Sequence, residues 1–403
     1  MKRNIDLTVT ALFLVLIFGF GLAFWVIPDT DFSPEENRAL QTFPTLSADS
    51  WLEGKVSSSL ITYYSDQFPL RNAWVSLHAL GELAMGRGES NGVLVGSNGQ
   101  LATRRFDAYL SRLERLKDTD AYNEAHVQKG LNALTALDST LKDRGIPLCV
   151  LLAPRTIDVT VSSFSYPSTM SDRLNTTIHT TFSEAGVNSV ELTETFRTLH
   201  EGGEYVYYRT DHHWTTKGAY IAYKAVMESW GMKDQILPET AFTVREIPSF
   251  YGTTHSRAGL SFIPPDTLEI WEASDGSDSR YTVFELRGEE TKTVIESGFI
   301  SESYLSRKDK YGAFLDGTHS MLFIIDREAA ARGESRPRLL LARDSFANSM
   351  VPFLARHFDI CMVNLSGGMT NLSELATQYG CSRVLVVCNW ENLITSGCVA
   401  EIK

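Results

Sequence analysis

Five short apolar runs constrain what this 403-residue chain can fold into: "PLCVLLAP" (147–154), "SMLFIID" (320–326), "RLLLAR" (338–343), "FDICMVNL" (358–365) and "SRVLVVCN" (382–389). Each is continuously apolar rather than alternating, which is the mark of a strand buried on both faces, as in a parallel sheet. Helical segments separate most of them. A long helix is expected over 119–144, stopped by Gly145. "STMSDRLNTTIHTTFSEAG" (168–186) reads as helix and "VNSVELT" (187–193) as strand. "TKGAYIAYKAVMESWG" (216–231) reads as a helix with Thr215 or Thr216 as N-cap and one apolar face of Ala219, Ile221, Ala222, Ala225 and Val226. Such alternation predicts an α/β fold with right-handed crossovers and a mainly parallel sheet covered on both faces. Residues 240–320 break the rhythm. They are rich in β-branched and aromatic residues punctuated by Gly, Asp and Ser, and predict an inserted antiparallel β element.

The N-terminus adds a second constraint. Leu7 to Ile27 are 21 residues without a charge, preceded by Lys2 and Arg3. As a helix they reach about 31 Å, the thickness of a hydrocarbon core. The basic end predicts a cytoplasmic N-terminus, with residues 29–403 outside. A cleaved signal peptide is the alternative, but "FWVIPDTD" lacks an A-x-A-like site. The expectation is a single-pass anchor in the cell membrane, residues 1–28. An approach segment follows over 29–120, then the α/β domain over 121–403. Within the approach segment, 61–86 reads as a helix pair broken at Pro69, and 92–102 as two short strands around a Ser-Asn-Gly turn. A net charge of −12 and a pI near 5.3 argue against a nucleic-acid partner. The five cysteines show no zinc-type spacing. Cys149, Cys361 and Cys388 read as small buried hydrophobes, and one bridge from Cys381 or Cys388 to Cys398 stays open.

Ligands of an open α/β sheet bind beyond the carboxyl ends of its strands. The sharpest such end is "RLLLARDSFANS", where a strand runs directly into Asp344-Ser345 and a helix. A serine there is exposed at the sheet edge with its N–H near the positive end of the helix dipole. Alone, the pair could be a helix cap. "YYRTDHHWTTKGAY" (207–220) changes the balance. A serine nucleophile needs a base, and the base needs an orienting carboxylate. Asp-x-His on one loop supplies both through Asp211 and His213, with His212 facing elsewhere and Trp214 packing the loop. No third metal ligand lies nearby in sequence, so no metal is expected. A histidine base predicts a rate rising with pH through one ionisation at about 5.5–7.5.

These motifs resemble the DHHW proteins and, more broadly, the alginate O-acetyltransferases of the SGNH-hydrolase-like superfamily. "FPLRNAW" (68–74), "GVLVGSNGQL" (92–101), "LLAPR" (151–155) and "DKYGAFLDGTHSM" (309–321) extend the likeness over most of the chain beyond the membrane segment. The resemblance implies a flavodoxin-like three-layer α/β/α sandwich. It also implies a triad of Ser345 as nucleophile, His213 as base and Asp211 as orienter. Asp-x-His before Ser matches the acetyltransferase branch, whereas ordinary SGNH hydrolases place their serine first. Arg343 stands where many SGNH sequences have glycine, and Arg155 where lysine is expected. Asn389 is the candidate second oxyanion donor. Asn348, Arg343, Arg155, Tyr311 and His319 are candidates for lining the cleft or binding substrate.

The function expected is a membrane-anchored, extracytoplasmic O-acyltransferase that acetylates a cell-surface or secreted polysaccharide, with no cofactor. The resemblance also implies a multi-spanning acyl-export partner. An esterase or deacetylase with the same triad is the alternative. A glycan-binding envelope protein with a decayed triad sits poorly with the intact Asp-x-His and Ser. A DHH-type metallophosphoesterase would need further aspartates at strand ends, and "PLCVLLAPR" has none.

Overall fold

The structure, a computed structural model, describes residues 2–403 apart from 37, 46, 48–50, 53, 104–123, 166–169, 288–289, 369–370 and 396. It divides into two compact units, Met1–Asn91 with Ser256–Phe262, and Gly92–His255 with Ile263–Lys403. The division cuts across the 29–120 segment, and 104–123 lie outside the described residues.

Among the described residues, the first unit includes the helices α1 (Lys2–Val26), α2 (Lys55–Asp66) and α3 (Arg71–Ala84). The expected helix pair around Pro69 is present. The chain turns between its members with Leu70 in the left-handed region, at φ 60.

The second unit is built on one eight-stranded sheet. In chain order its strands are β1 (Leu148–Ala153), β2 (Ser189–Val190), β3 (Tyr281–Arg287), β4 (Glu290–Ile295), β5 (Met321–Asp326), β6 (Arg338–Arg343), β7 (Asp359–Asn364) and β8 (Arg383–Asn389). Their spatial order is β4-β3-β5-β7-β6-β8-β1-β2. The five strands from β7 to β2 run parallel, and β5, β3 and β4 extend the sheet antiparallel. The sheet is therefore mixed and mainly parallel. All five apolar runs are strands of it, and β1 is buried at every position. Only Ser189–Val190 of the expected 187–193 strand pairs, at the sheet edge. The 240–320 region supplies two different things. One hairpin, Phe242–Phe250 with Asp266–Ala273, is a separate two-stranded sheet, while β3 and β4 join the central sheet.

Both faces of the sheet are covered. On one, Leu151, Leu341 and Leu385 pack with Ala219, Ala222 and Val226 of the helix Thr216–Ser229. On the other, Val150, Leu340 and Val386 meet Leu131, Leu134 and Leu141 of the helix Glu124–Asp143 and Phe182 of the helix Met170–Ala185. Thr215 is the N-cap, its Oγ1 accepting from the Gly218 N–H at 3.2 Å. No disulfide joins any of the five cysteines in the structure.

Candidate active site

The parallel strands β6, β8 and β1 end side by side, and the loops that leave them carry the site. After β6 the chain turns at Asp344 into a 3₁₀ segment, Ser345–Met350, and only then into an α-helical turn, Val351–Leu354. The sequence led us to expect an α-helix at once. Pro352 lacks an N–H and suits the first turn of a helix, so the α geometry begins there. Asp344 is buried and caps the turn. Its Oδ1 accepts from the Phe346 N–H at 2.9 Å, and its Oδ2 from the Asn389 N–H at 2.6 Å and Asn392 Nδ2 at 2.7 Å. Ser345 is the one residue between Leu341 and Met350 that is not buried.

The loop before the Thr216–Ser229 helix brings Asp211 and His213 to this serine. His213 Nε2 lies 2.7 Å from Ser345 Oγ. Its Nδ1 is bonded to Asp211 Oδ1, and because a carboxylate only accepts, Nδ1 carries the proton and Nε2 the lone pair. Asp211 Oδ1 also accepts from the His213 N–H at 3.1 Å. Asp211 Oδ2 accepts from the Thr253 N–H at 2.8 Å and the Thr253 hydroxyl at 3.0 Å. Burial raises the Asp211 carboxyl, but the neighbouring histidines and these bonds outweigh it and hold the group well below the usual carboxylate range. For His213 the balance falls the other way. Burial and His212 outweigh Asp211 and depress its pKa.

Tyr311 stacks on the His213 ring at 3.8 Å between centroids and 7° between planes. Its hydroxyl donates to the Ser345 carbonyl at 3.1 Å and shares a hydrogen bond with Ser349 Oγ at 3.1 Å. Trp214 fixes the same turn, its Nε1 donating to the Phe346 carbonyl at 3.0 Å. His212 faces outward, with Nδ1 2.8 Å from Thr253 Oγ1 and its side chain 41% exposed. Asp211, His212 and His213 each offer a ligand atom within 4.8 Å of the others. In the structure these atoms are engaged in hydrogen bonds, His213 Nδ1 with Asp211, and both Asp211 Oδ2 and His212 Nδ1 with Thr253.

The other candidates scatter. Arg155 is buried in a two-bond pair with Asp158, Nε to Oδ2 at 2.8 Å and a terminal nitrogen to Oδ1 at 2.7 Å, and is withdrawn from substrate. The Asn389 amide lies between the Pro154 carbonyl, at 3.3 Å, and the Glu391 N–H, at 2.8 Å. Arg343 is buried beneath the site with one bond to the His319 carbonyl at 3.4 Å, and burial pulls its pKa down to about 10. Asn348 donates to the Gly317 carbonyl at 3.5 Å. His319 lies between Glu285 and the Asp316 carbonyl. Among the described residues, none of these five is hydrogen-bonded to Ser345, His213 or Asp211. A cavity of about 390 Å³, lined by Trp271, Phe299 and Phe353 among others, reaches this region only through Ser349 and does not hold the triad.

Three supporting residues escaped the sequence reading. Thr253 holds Asp211 from 42 positions away. Gly252 packs so tightly on Asp211 that any side chain there would run into the carboxylate. Asp266 is buried and anchors the loop, accepting from the Thr210 N–H at 2.8 Å, the Thr210 hydroxyl at 2.6 Å and Arg209 Nε at 3.2 Å, besides the Tyr205 hydroxyl. Another carboxylate, Asp309, accepts from the Tyr311 N–H at 3.1 Å, and burial with the Asp211 charge pushes it up to about 6.

The region that carries the acid–base loop has a recognisable counterpart. Residues 110–267 match the SGNH hydrolase-like domain of the acetyltransferase AlgX. The match contains Asp211 and His213, while Ser345 lies beyond it. The chain is also similar to the probable alginate O-acetylase AlgJ of Pseudomonas putida, 25% identical over 288 residues that make up 70% of this chain and 68% of that one. Among solved structures, Bacillus cereus PatB1 with a sulfonyl adduct superposes with a TM-score of 0.58 at 18% identity, covering 77% of this chain and 98% of that one. A DHHW family protein from Eubacterium siraeum gives a TM-score of 0.52 at 17% identity, covering 77% and 97%. At those identities the two structures speak to fold alone. The resemblance read from the motifs holds, and the second unit is an SGNH-like α/β fold.

Proposed function

We propose that this chain is a membrane-anchored, extracytoplasmic O-acyltransferase that moves acetyl groups onto a polysaccharide through Ser345, His213 and Asp211. The observation that carries the reading is the 2.7 Å contact from His213 Nε2 to Ser345 Oγ, with Asp211 on the far nitrogen. The likeness to AlgJ and to the AlgX domain supports acetyl transfer to a polysaccharide. Ser345 Oγ attacks the acyl carbonyl carbon as its proton passes to His213 Nε2. The donor's acyl–oxygen bond then breaks, and His213 returns the proton to the leaving group. An acyl ester remains on Ser345. A sugar hydroxyl next attacks that ester while His213 takes its proton, and Ser345 Oγ regains a proton as it leaves. Asp211 stays ionised and steadies the imidazolium. The first N–H groups of a helical segment have no partner within it, so the Ser345 backbone N–H is the natural oxyanion donor.

The finer fold and the location belong to the same proposal. Counted from the serine strand β6 around to the N-terminal strands, the parallel strands take the order 2-1-3-4-5, which supports a flavodoxin-like core whose chain starts at a different strand. Residues 1–28 anchor the chain, with 29–403 outside. Acyl groups then need a donor on that side, so a multi-spanning acyl-export protein is the partner we infer. The test is to incubate the purified full chain with a chromogenic acetyl ester, with and without oligosaccharide acceptors, and to search for acetylated sugar by mass spectrometry. Acetyl-sugar establishes transfer. Ester hydrolysis that no acceptor diverts establishes the esterase instead.

A further inference from the structure

The first unit carries an apolar face that its described residues leave exposed. Along α3, Leu70, Trp74, Leu77 and Leu80 recur at helical spacing on one side, and they are 68%, 42%, 60% and 46% exposed. The charged residues of α3 lie off this stripe and are paired, Arg71 with Glu36 and Glu82 with Arg87. A stripe of this length without a charge is unusual on a solvated surface.

Its neighbour is α1. Phe68 stacks on Phe20 at 5.6 Å, Trp74 meets the same ring at 5.7 Å, and Tyr64 stacks on Phe24 at 5.1 Å. Phe20 lies six residues before the end of α1 at Val26, about 9 Å along the helix axis at its usual rise. A polar collar marks the level where α1 ends. Gln67 bonds to Thr30 and Gln41, Tyr63 to Asp29, and Arg38 to Asp66. The aromatic contacts therefore lie below the collar, against the part of α1 that a membrane would surround.

We propose that α2 and α3 are seated in the outer leaflet of the bilayer, with the Leu70–Leu80 stripe against lipid acyl chains. The inference rests on the reading of α1 as a membrane span. If Phe20 is in hydrocarbon, the side chains that touch it share its depth. Tyr64 and Trp74 suit that depth, because amphipathic aromatic rings collect where acyl chains meet headgroups. A helix with one apolar face can lie in the plane of this boundary.

The test uses full-length protein in vesicles of phosphatidylethanolamine and phosphatidylglycerol carrying a trace of phospholipid with a diazirine on its acyl chain. After illumination, labelled tryptic peptides are mapped by mass spectrometry. Lys55, Arg71 and Arg87 bound two informative peptides, 56–71 and 72–87, and Arg3 and Arg38 bound the span peptide, 4–38. We expect label in all three. Label in 4–38 alone overturns the proposal while leaving the span intact, and assigns the stripe to a protein partner. Label in none overturns the span reading together with the proposal. Leu77→Glu combined with Leu80→Glu should abolish label in 72–87 and keep it in 4–38. Undiminished label in 72–87 would show that another face of α3 meets lipid.

Discussion

The two loops that meet at Ser345 are held by different means. The turn that carries Ser345 has local supports besides the bonds it receives from Trp214, Asn389 and Asn392. Strand β6 delivers it, Asp344 caps the turn it sits in, and Pro352 starts the helical turn that follows. The loop of Asp211 and His213 leans on remote ones. Its carboxylate is held by Thr253, its backbone by Asp266, and its clearance by Gly252. A local device survives small changes nearby because chain connectivity restores it. A remote one depends on a second segment arriving at the right place, so its supports should be less tolerant than their chemistry suggests.

The largest expected effect removes the reacting groups themselves. Ser345→Ala, His213→Ala and Asp211→Ala should each lower acetyl-ester turnover about 10⁴-fold or more, with circular dichroism unchanged. The double variant Ser345→Ala/His213→Ala should be little worse than either single, since members of a triad act as a unit. His212→Ala should be far milder. Equal losses from the two histidine variants, or inactivation of wild type by a chelator, would favour a metal site over the relay. A sulfonyl fluoride should label Ser345, and label at another serine would remove the nucleophile assignment.

Gly252→Ala tests the remote support without removing a reacting group. The added methyl must displace the Asp211 carboxylate, and a misplacement of about 1 Å costs about 10²-fold in rate. The expected signature is a fall in kcat with the protein still folded. Wild-type kcat in this variant would mean that the carboxylate has room to move and that the two loops do not differ as described.

The same contrast explains what could be read in advance. Continuous apolar runs made the parallel strands legible, and a strand running into Asp-Ser made the Asp344–Ser345 turn legible, because both signals sit in consecutive residues. Asp211 and His213 were legible for the same reason. Thr253, Gly252 and Asp266 were not, since hydrogen bonds made 42 to 56 positions apart leave no period in a sequence. Arg155 illustrates the reverse. Its position after a strand end suggested substrate, yet Asp158 three residues on takes its guanidinium. An Arg-x-x-Asp at a helix start could have raised that pairing. The outer strands β3 and β4 looked like an insertion because nothing in their sequence reveals that they join the main sheet.

Tyr311 bridges the two loops, stacking on His213 while its hydroxyl reaches Ser345 and Ser349. Tyr311→Phe keeps the stack and removes only the hydroxyl. The hydroxyl's bond to Ser349 is lost too, but loss of the one to the Ser345 carbonyl, about 1 kcal/mol, predicts a fall in kcat of about fivefold, with KM unchanged. Tyr311→Leu removes the stack as well and should cost more. If the two variants behave alike, the ring does not position the base.

The smallest effect is a shift of the pH profile, and it separates the groups around the base. A histidine base works when neutral, so the rate rises with pH through its pKa and then levels off. Sequence alone placed that rise at about 5.5–7.5, around the unperturbed value of about 6.5. In the folded chain, burial and His212 lower the His213 pKa and Asp211 only partly restores it, so the rise belongs below the unperturbed value. Activity should then be flat through neutrality and fall only in acid. A depressed histidine also costs stability in acid. Below about pH 6.5 the unfolded chain binds a proton that the folded chain refuses, so stability falls as pH falls, and circular dichroism must accompany each rate. His212→Ala removes a neighbour whose electrostatics lower the His213 pKa and should move the rise upward. Asp309 is the competing group, pushed up to about 6 by burial and by Asp211. A rise near pH 6 that disappears in Asp309→Asn would belong to that carboxyl. A rise that persists in Asp309→Asn and moves in His212→Ala belongs to His213. One that ignores both changes would show that neither group sets the protonation state of the serine's base.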